Sequence, residues 1–155
     1  MSSEETLFCP IRKTWVAALP EEHVRQRILH RMVNEQGYPS SLIAVEKAVR
    51  QLPHLVVTDR RLIPDRRADI ICFAKGLSAS SDLYPLLTIE CKAISLSPRV
   101  INQVLGYNHY IRACFIAIAN QNEIRTGWYD KDKGEYVFID YLPSFEELYN
   151  AITLS

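Results

Sequence analysis

Two periods, one helical and one of strands, divide the chain into short elements. In LPEEHVRQRILHRMVNEQGYP, the apolar residues Val24, Ile28, Leu29, Met32 and Val33 recur at the spacing of one helix face. Pro20 suits a first helical turn, Glu21 and Glu22 suit the positive end of the helix dipole, and Gly37 with Pro39 marks the stop. At about 100° per residue, Glu22 falls at the rim of the apolar face, where its carboxylate can reach inward. SSLIAVEKAVRQL fits a helix through Leu42, Val45, Val49 and Leu52 and partly fits a strand through Ile43, Val45 and Val49; a strand is the expectation.

After an arginine-rich connection, TDRRLIPDRR, the β-branched and aromatic content of ADIICFA predicts a strand. KGLSASSD is a loop by composition and YPLLTIECKA the next strand. Ser97 and Pro98 supply an N-cap and a first-turn proline for a helix running to about Ile111. CFIAIAN reads as a buried strand, GWYDKDKGEYVFID as a hairpin turning at Asp130–Gly134, and SFEELYNAI as a short capped helix. The expected fold class is α/β (α+β): a mixed sheet with packed helices, antiparallel where a short loop joins strands and parallel across the 86–119 strand–helix–strand unit. One domain is expected, with an N-terminal arm over 1–18, a core over 19–120, and the hairpin and last helix over 121–155.

Composition narrows the function classes. The 155 residues carry 18 Lys+Arg against 18 Asp+Glu, so no global field draws the molecule to a polyanion, and nucleic-acid affinity requires a local patch. The apolar runs are strand-sized and the MSSEET start is acidic, so a cytoplasmic protein without membrane span or signal peptide is expected. Cys9, Cys72, Cys91 and Cys114 form no C-x-x-C pair and no ligand-like spacing with the four histidines, which argues for reduced, buried thiols.

Candidate chemistry concentrates in LLTIECKA, an apolar run interrupted by Glu90 and Lys92. Strand alternation puts these two charges on one face, about 7 Å apart, with Leu87, Ile89 and Cys91 on the other. A buried charge is costly unless paired. If ADIICFA and YPLLTIECKA form a hairpin, pairing Asp69 with Glu90 puts its midpoint at Ala79–Ser80, the middle of the loop assigned on composition. Two neighbouring carboxylates in a partly buried cleft repel, and a cation between them relieves the repulsion. Oxygen ligation with open positions favours Mg²⁺, or Mn²⁺ as its substitute, over zinc. A lysine beside such an ion can orient a water or balance phosphoryl charge.

Asp69 and Glu90-Cys91-Lys92, set on a helix–three strands–helix–strand order, resemble the PD-(D/E)XK nucleases, with Ala68-Asp69 where the family has Pro-Asp. More narrowly, PEEHVRQRIL, GYP, LIAVE, RRADIICF, PLLTIECKA and GYN, spanning roughly Pro20 to Tyr129, are similar to the N-terminal nuclease domain of type I restriction enzyme R subunits. The resemblance implies a restriction-endonuclease-like αβββαβ core and a metal-dependent nuclease acting on DNA rather than RNA. It assigns Asp69, Glu90 and the backbone carbonyl of Cys91 as metal ligands, with Glu22 as the extra acid, and Lys92 as the catalytic lysine. Gln103 and Tyr107 match the Gln-x-x-x-Tyr motif of the RecB-like branch and share a helix face. Asn120-Gln121 stands where relatives often carry Asn-Gly. The implied partners are nucleic acid and either a second copy of the chain or a separately encoded motor subunit.

Each assignment has a plainer reading. Glu22 can be a first-turn acid favoured by the dipole, and Gln103 and Tyr107 polar residues at the core edge. Arg60, Arg61, Arg66 and Arg67 form the one dense basic cluster: a solvated loop partly neutralised by Asp59 and Asp65, or a set of phosphate contacts leading into Asp69. Cys91 is read as core, and Trp128 and Tyr129 as hairpin packing before a base-stacking platform. The rival function is a catalytically silent nucleic-acid-binding or assembly subunit of the same fold.

Overall fold

The computed structural model describes residues 4–55 and 58–154. The elements are β1 (Thr6–Cys9), β2 (Thr14–Ala17), α1 (Pro20–Asn34), β3 (Ile43–Ala48), β4 (Arg67–Lys75), β5 (Leu83–Cys91), α2 (Pro98–Ile111), β6 (Phe115–Ala119), β7 (Ile124–Asp130), β8 (Glu135–Ile139) and α3 (Phe145–Thr153), with short 3₁₀ turns between β3 and β4. The helix–three strands–helix–strand order expected from the pattern is therefore present over α1, β3, β4, β5, α2 and β6. The ambiguous SSLIAVEKAVRQL resolves into strand β3 followed by a 3₁₀ turn over Val49–Gln51.

Strands β3 to β8 form one six-stranded sheet in sequence order. Only β5 and β6, joined through α2, run parallel; the other neighbours are antiparallel. Ile70 faces Ile89, Ile71 faces Thr88 and Cys72 faces Leu87, the register that sets Asp69 across from Glu90. A bulge between Cys72 and Phe73 shifts the pairing beyond that point, on the loop side and away from the charged end.

Because helices cover both faces, the central strands are apolar on both. On one face Val24, Ile28, Leu29 and Met32 of α1 pack with Ile70, Cys72, Leu87, Ile89, Cys91 and Ala117. On the other, Val104 of α2 packs with Leu96 and Ile118, and Ile111 with Ile71, Phe73 and Val49. Ser97 caps α2 by accepting from Val100 N–H at 3.3 Å, and Ser144 and Glu147 form a reciprocal capping box on α3. All four cysteines are free; burial pushes the Cys72 thiol up to about 12, so it stays protonated in the core.

The N-terminal stretch, expected as an arm, departs from that expectation over its described residues. Residues 6–17 fold into the β1–β2 hairpin, a separate two-stranded sheet with Phe8 across from Trp15, anchored by the buried Cys9. Among the described residues no helix is long and apolar enough to cross a membrane.

Candidate active site

The site forms where β3, β4 and β5 end beside the first turn of α1. Asp69 lies on β4 one residue before the first β4–β5 pair, and Glu90 lies on β5 across from Ile118 of β6. Asp69 Oδ2 accepts from the Cys91 N–H at 2.8 Å, which ties the acid of one strand to the backbone of the next. Glu90 is only 5% exposed, and its carboxyl is pushed up to about 8, first by burial and then by the negative charge of Asp69. The charges of Arg66 and Lys92 act against that rise. Lys92 sits just past the end of β5, not within it as alternation over the whole run implied. Its N–H still donates to Ala119 O of β6 at 2.8 Å, so the backbone stays tied to the sheet up to the residue where the charge is presented.

Three arginines balance the acids. Arg66 Nη2 donates to Glu90 Oε1 at 3.1 Å, and its guanidinium lies over the Tyr107 ring with 3.3 Å from Cζ to the centroid. Arg25, one turn into α1 and 6% exposed, donates to Glu22 Oε1 (3.4 Å) and Asp69 Oδ1 (3.3 Å) and lies 3.4 Å from Glu46 Oε1. Arg12, from the β1–β2 turn, reaches Glu22 Oε1 at 2.5 Å and Glu46 Oε2 at 3.5 Å. Arg12, Arg25 and Arg66 each keep a buried Nε–H without a hydrogen-bond partner. Glu46 pairs Arg12 and Arg25 from a strained backbone: its φ is +52°, in the left-handed region that a non-glycine residue rarely adopts. The strain falls where β3 runs past Asp69, between the Val45–Ile70 and Lys47–Ala68 pairs.

The structure thus brings together Asp69, Glu90, Cys91 and Lys92, and joins Arg66 to Tyr107, two residues singled out for separate reasons. Glu22 is buried and turned inward, but its carboxylate is engaged by Arg12, Arg25 and Gln26. Gln103 lies exposed one helical turn before Tyr107. The four arginines of the cluster have different surroundings. Arg61 is exposed and folds back on Asp59, Arg60 is exposed, and Arg67 is exposed and donates to the Glu46 carbonyl at 3.2 Å. Only Arg66 turns into the acidic pair. Trp128 packs edge-on against Phe115, and Tyr129 against Tyr136.

Arg12, Arg25 and Glu46 were not among the residues picked out from the sequence. Arg25 carried a usable signal, since it lies three positions after Glu22 and next to Val24 on the inward rim of α1. Alternation in β3 likewise sets Glu46 with Ala44 and Ala48. Nothing local marks Arg12, whose role depends on a hairpin tip meeting residues 10 and 34 positions away.

A family model described as type I restriction enzyme R protein N terminus matches residues 20–143, from the first residue of α1 to the segment before α3. The match covers both helices that flank the sheet, all six sheet strands, and every predicted site residue. The chain belongs to the type I restriction enzyme R protein N-terminus family. No curated protein and no solved structure matches the chain. In this R protein N terminus, the acids and Lys92 lie inside the matched region, whereas the β1–β2 hairpin and Arg12 lie outside it.

The donor set suits a hard divalent cation in its chemistry. Asp69 and Glu90 offer oxygen ligands side by side, and the Glu90 carboxyl is raised first by burial and then by the Asp69 charge, the second of which a bound cation offsets. Among the described residues no three Asp, Glu, His or Cys side chains converge on a common point, because Glu22 and Glu46 turn toward the arginines.

Proposed function

We propose that this R protein N-terminus chain is a PD-(D/E)XK-type nuclease, one domain that hydrolyses phosphodiester bonds of nucleic acid, DNA in preference to RNA, with Mg²⁺ or Mn²⁺. The observation that carries the reading is the pairing of Asp69 with a buried Glu90 whose carboxyl is pushed up to about 8, beside Lys92 at the end of the same strand. Asp69, Glu90 and the Cys91 carbonyl would hold the ion, with Glu22 the nearest further acid. A bound divalent ion polarises a phosphoryl oxygen and makes water a better nucleophile near neutral pH. Lys92 orients the attacking water and offsets charge at the phosphoryl group. Arg66, fixed by Tyr107, and the exposed Arg60, Arg61 and Arg67 contact neighbouring phosphates, with Gln103 on the same helix face. A second copy or a separate motor subunit is the partner class, and the cytoplasm is the compartment this reading implies.

The test is cleavage of supercoiled plasmid and of single-stranded DNA by wild type, Asp69→Ala and Lys92→Ala in Mg²⁺, Mn²⁺ and EDTA. Wild type cuts in either metal and not in EDTA, and both variants lose cutting. Cutting that survives either substitution defeats the assignment.

One observation favours a second reading. Glu22, Glu46, Asp69 and Glu90 are each within ion-pair distance of an arginine, so the site neutralises itself without an added cation. A chain that retains DNA equally in EDTA and in Mg²⁺ and cuts nothing would be a binding subunit built on the nuclease fold.

A further inference from the structure

From the proposed site toward β8, the sheet ends in one row of residues. Cys91 of β5 faces Ala119 of β6, and Ala119 faces Ile124 of β7. The β7–β8 register, in which Thr126 faces Ile139, brings Tyr141 opposite Ile124 when it is continued by two residues. Thr126 Oγ1 supports that continuation by donating to Tyr141 O at 2.8 Å. At about 4.8 Å between neighbouring strands, the row runs roughly 14 Å from Cys91 to Tyr141.

Between this row and α1 lies a pocket of about 420 Å³, a size that suits a small ligand. Its walls border the acids, since Val24 precedes Arg25 on the helix and Ala119 is the partner of Cys91 on the sheet. The β6–β7 loop closes one side. Asn120 shapes that loop by accepting from the Asn122 and Glu123 N–H groups, each at 2.9 Å, and ties it to the chain leaving β5 by donating to Ile94 O at 3.0 Å. Arg27 and Arg31 line the pocket from one face of α1, and Arg27 uses one of its five donors on Gln121 O at 3.0 Å. Tyr141, 51% exposed, lines it at the end of the row, beside Asp140. An inorganic anion does not suit a wall that carries the Asp140 carboxylate. A nucleotide suits all three groups: its phosphate meets the guanidiniums, its base stacks on the ring, and a base N–H donates to the carboxylate. Tyr129 is as exposed, at 53%, but lies five residues beyond Ile124 along β7, roughly 17 Å toward the opposite end of the sheet.

We infer that this pocket is a subsite for one nucleotide of a single-stranded DNA segment, with its base stacked on Tyr141 and its phosphate held by Arg27 and Arg31, along the sheet end from the Asp69–Glu90 pair. This rests on the nucleic-acid reading above and on no metal ion. A base in a duplex has to unpair and unstack before it can enter, so the pocket favours single strands and frayed ends.

The experiment measures fluorescence anisotropy of a labelled short thymidine strand, and of an abasic strand of the same length, with the full chain in EDTA across a salt series. The proteins are wild type, Tyr141→Ala, Arg31→Gln and Tyr129→Ala. Tyr141→Ala weakens binding of the thymidine strand by roughly five- to a hundredfold, the range that one stacked base represents, and leaves the abasic strand unchanged. Arg31→Gln weakens both strands alike and lowers the slope of log affinity against log salt by about 0.7. Tyr129→Ala changes neither. Thymidine monophosphate displaces the thymidine strand from wild type only at concentrations far above the strand's own Kd. An unaffected thymidine strand in folded Tyr141→Ala, an equal loss on both strands, or the same loss in Tyr129→Ala overturns the inference. Displacement by the monophosphate near the strand's Kd marks a site for free nucleotides and also overturns it. If wild type binds neither strand, the nucleic-acid reading falls and the inference with it. The expected binding pattern from a chain that cuts nothing in Mn²⁺ defeats the nuclease reading and supports the subsite.

Discussion

Removing the charge of Glu90 stabilises the metal-free protein above neutral pH. Burial and the Asp69 charge lift the folded-state carboxyl from the ordinary 4.5 to about 8. A raised carboxyl binds its proton more tightly folded than unfolded. Folding therefore loses free energy as pH rises from 4.5 to about 8, with no loss below that window and no further loss above it. At about 1.4 kcal/mol per pH unit the whole window corresponds to about 5 kcal/mol. Glu90→Gln keeps the size and a hydrogen-bonding oxygen for Arg66 but does not titrate, so it gains on wild type through the window. Urea denaturation of both proteins in EDTA at pH 5, 6.5 and 8.5 measures this. The difference in unfolding free energy between variant and wild type moves toward the variant by roughly 2–4 kcal/mol from pH 5 to 8.5. A difference that stays flat, or that moves toward wild type with rising pH, refutes the description of Glu90 as a carboxyl raised by burial and by the Asp69 charge.

Three further outcomes follow from the packing. Arg25→Ala strands Glu22 and Asp69 beside each other with one shared cation gone, and chemical denaturation is expected to show a loss of about 3–5 kcal/mol, more than Arg61→Ala, whose partner Asp59 is exposed. Ser144→Ala removes the acceptor for the Glu147 N–H at 3.2 Å in the capping box of α3 and costs about 1 kcal/mol, read as a lower thermal midpoint. Gly127→Ala places a methyl 2.5 Å from Phe138 Cε1 across the β7–β8 pair, so the ring has to shift; the expected cost is about 1–3 kcal/mol, and Phe138→Leu in the same chain recovers part of it.

Elements marked by local chemistry were legible in the sequence. Pro20 opens α1, and Ser97-Pro98 and Ser144 open the other two helices, because caps and first-turn prolines act within one turn of backbone. The β4–β5 register was legible too, since loop composition and the spacing of Asp69 and Glu90 constrain one hairpin jointly. The site was legible only in the part that this register determines. Arg12 and Glu46 are recruited across 34 positions by a hairpin and a left-handed residue, and neither periodicity nor propensity encodes such a meeting. How the arginine cluster divides was not legible either: a 3₁₀ turn over Arg60–Leu62 points Arg61 back at Asp59, while Arg66 reaches Glu90 and Arg67 the Glu46 carbonyl. The N-terminal hairpin escaped notice because two strands of four residues each carry too little pattern to separate them from a coil.

In the proposed function, Asp69 and Glu90 hold an ion beside Lys92 for phosphodiester hydrolysis. Its most direct measurement is the single-turnover cleavage rate of end-labelled DNA by wild type and Lys92→Ala in saturating Mn²⁺, with calorimetry confirming that both bind the ion. Cleavage by wild type is expected, with none after chelation and a rate for Lys92→Ala lower by a factor on the order of 10²–10⁴ with metal binding retained. Equal rates for the two proteins, or no cleavage by a wild-type chain that has bound its metal, would contradict it.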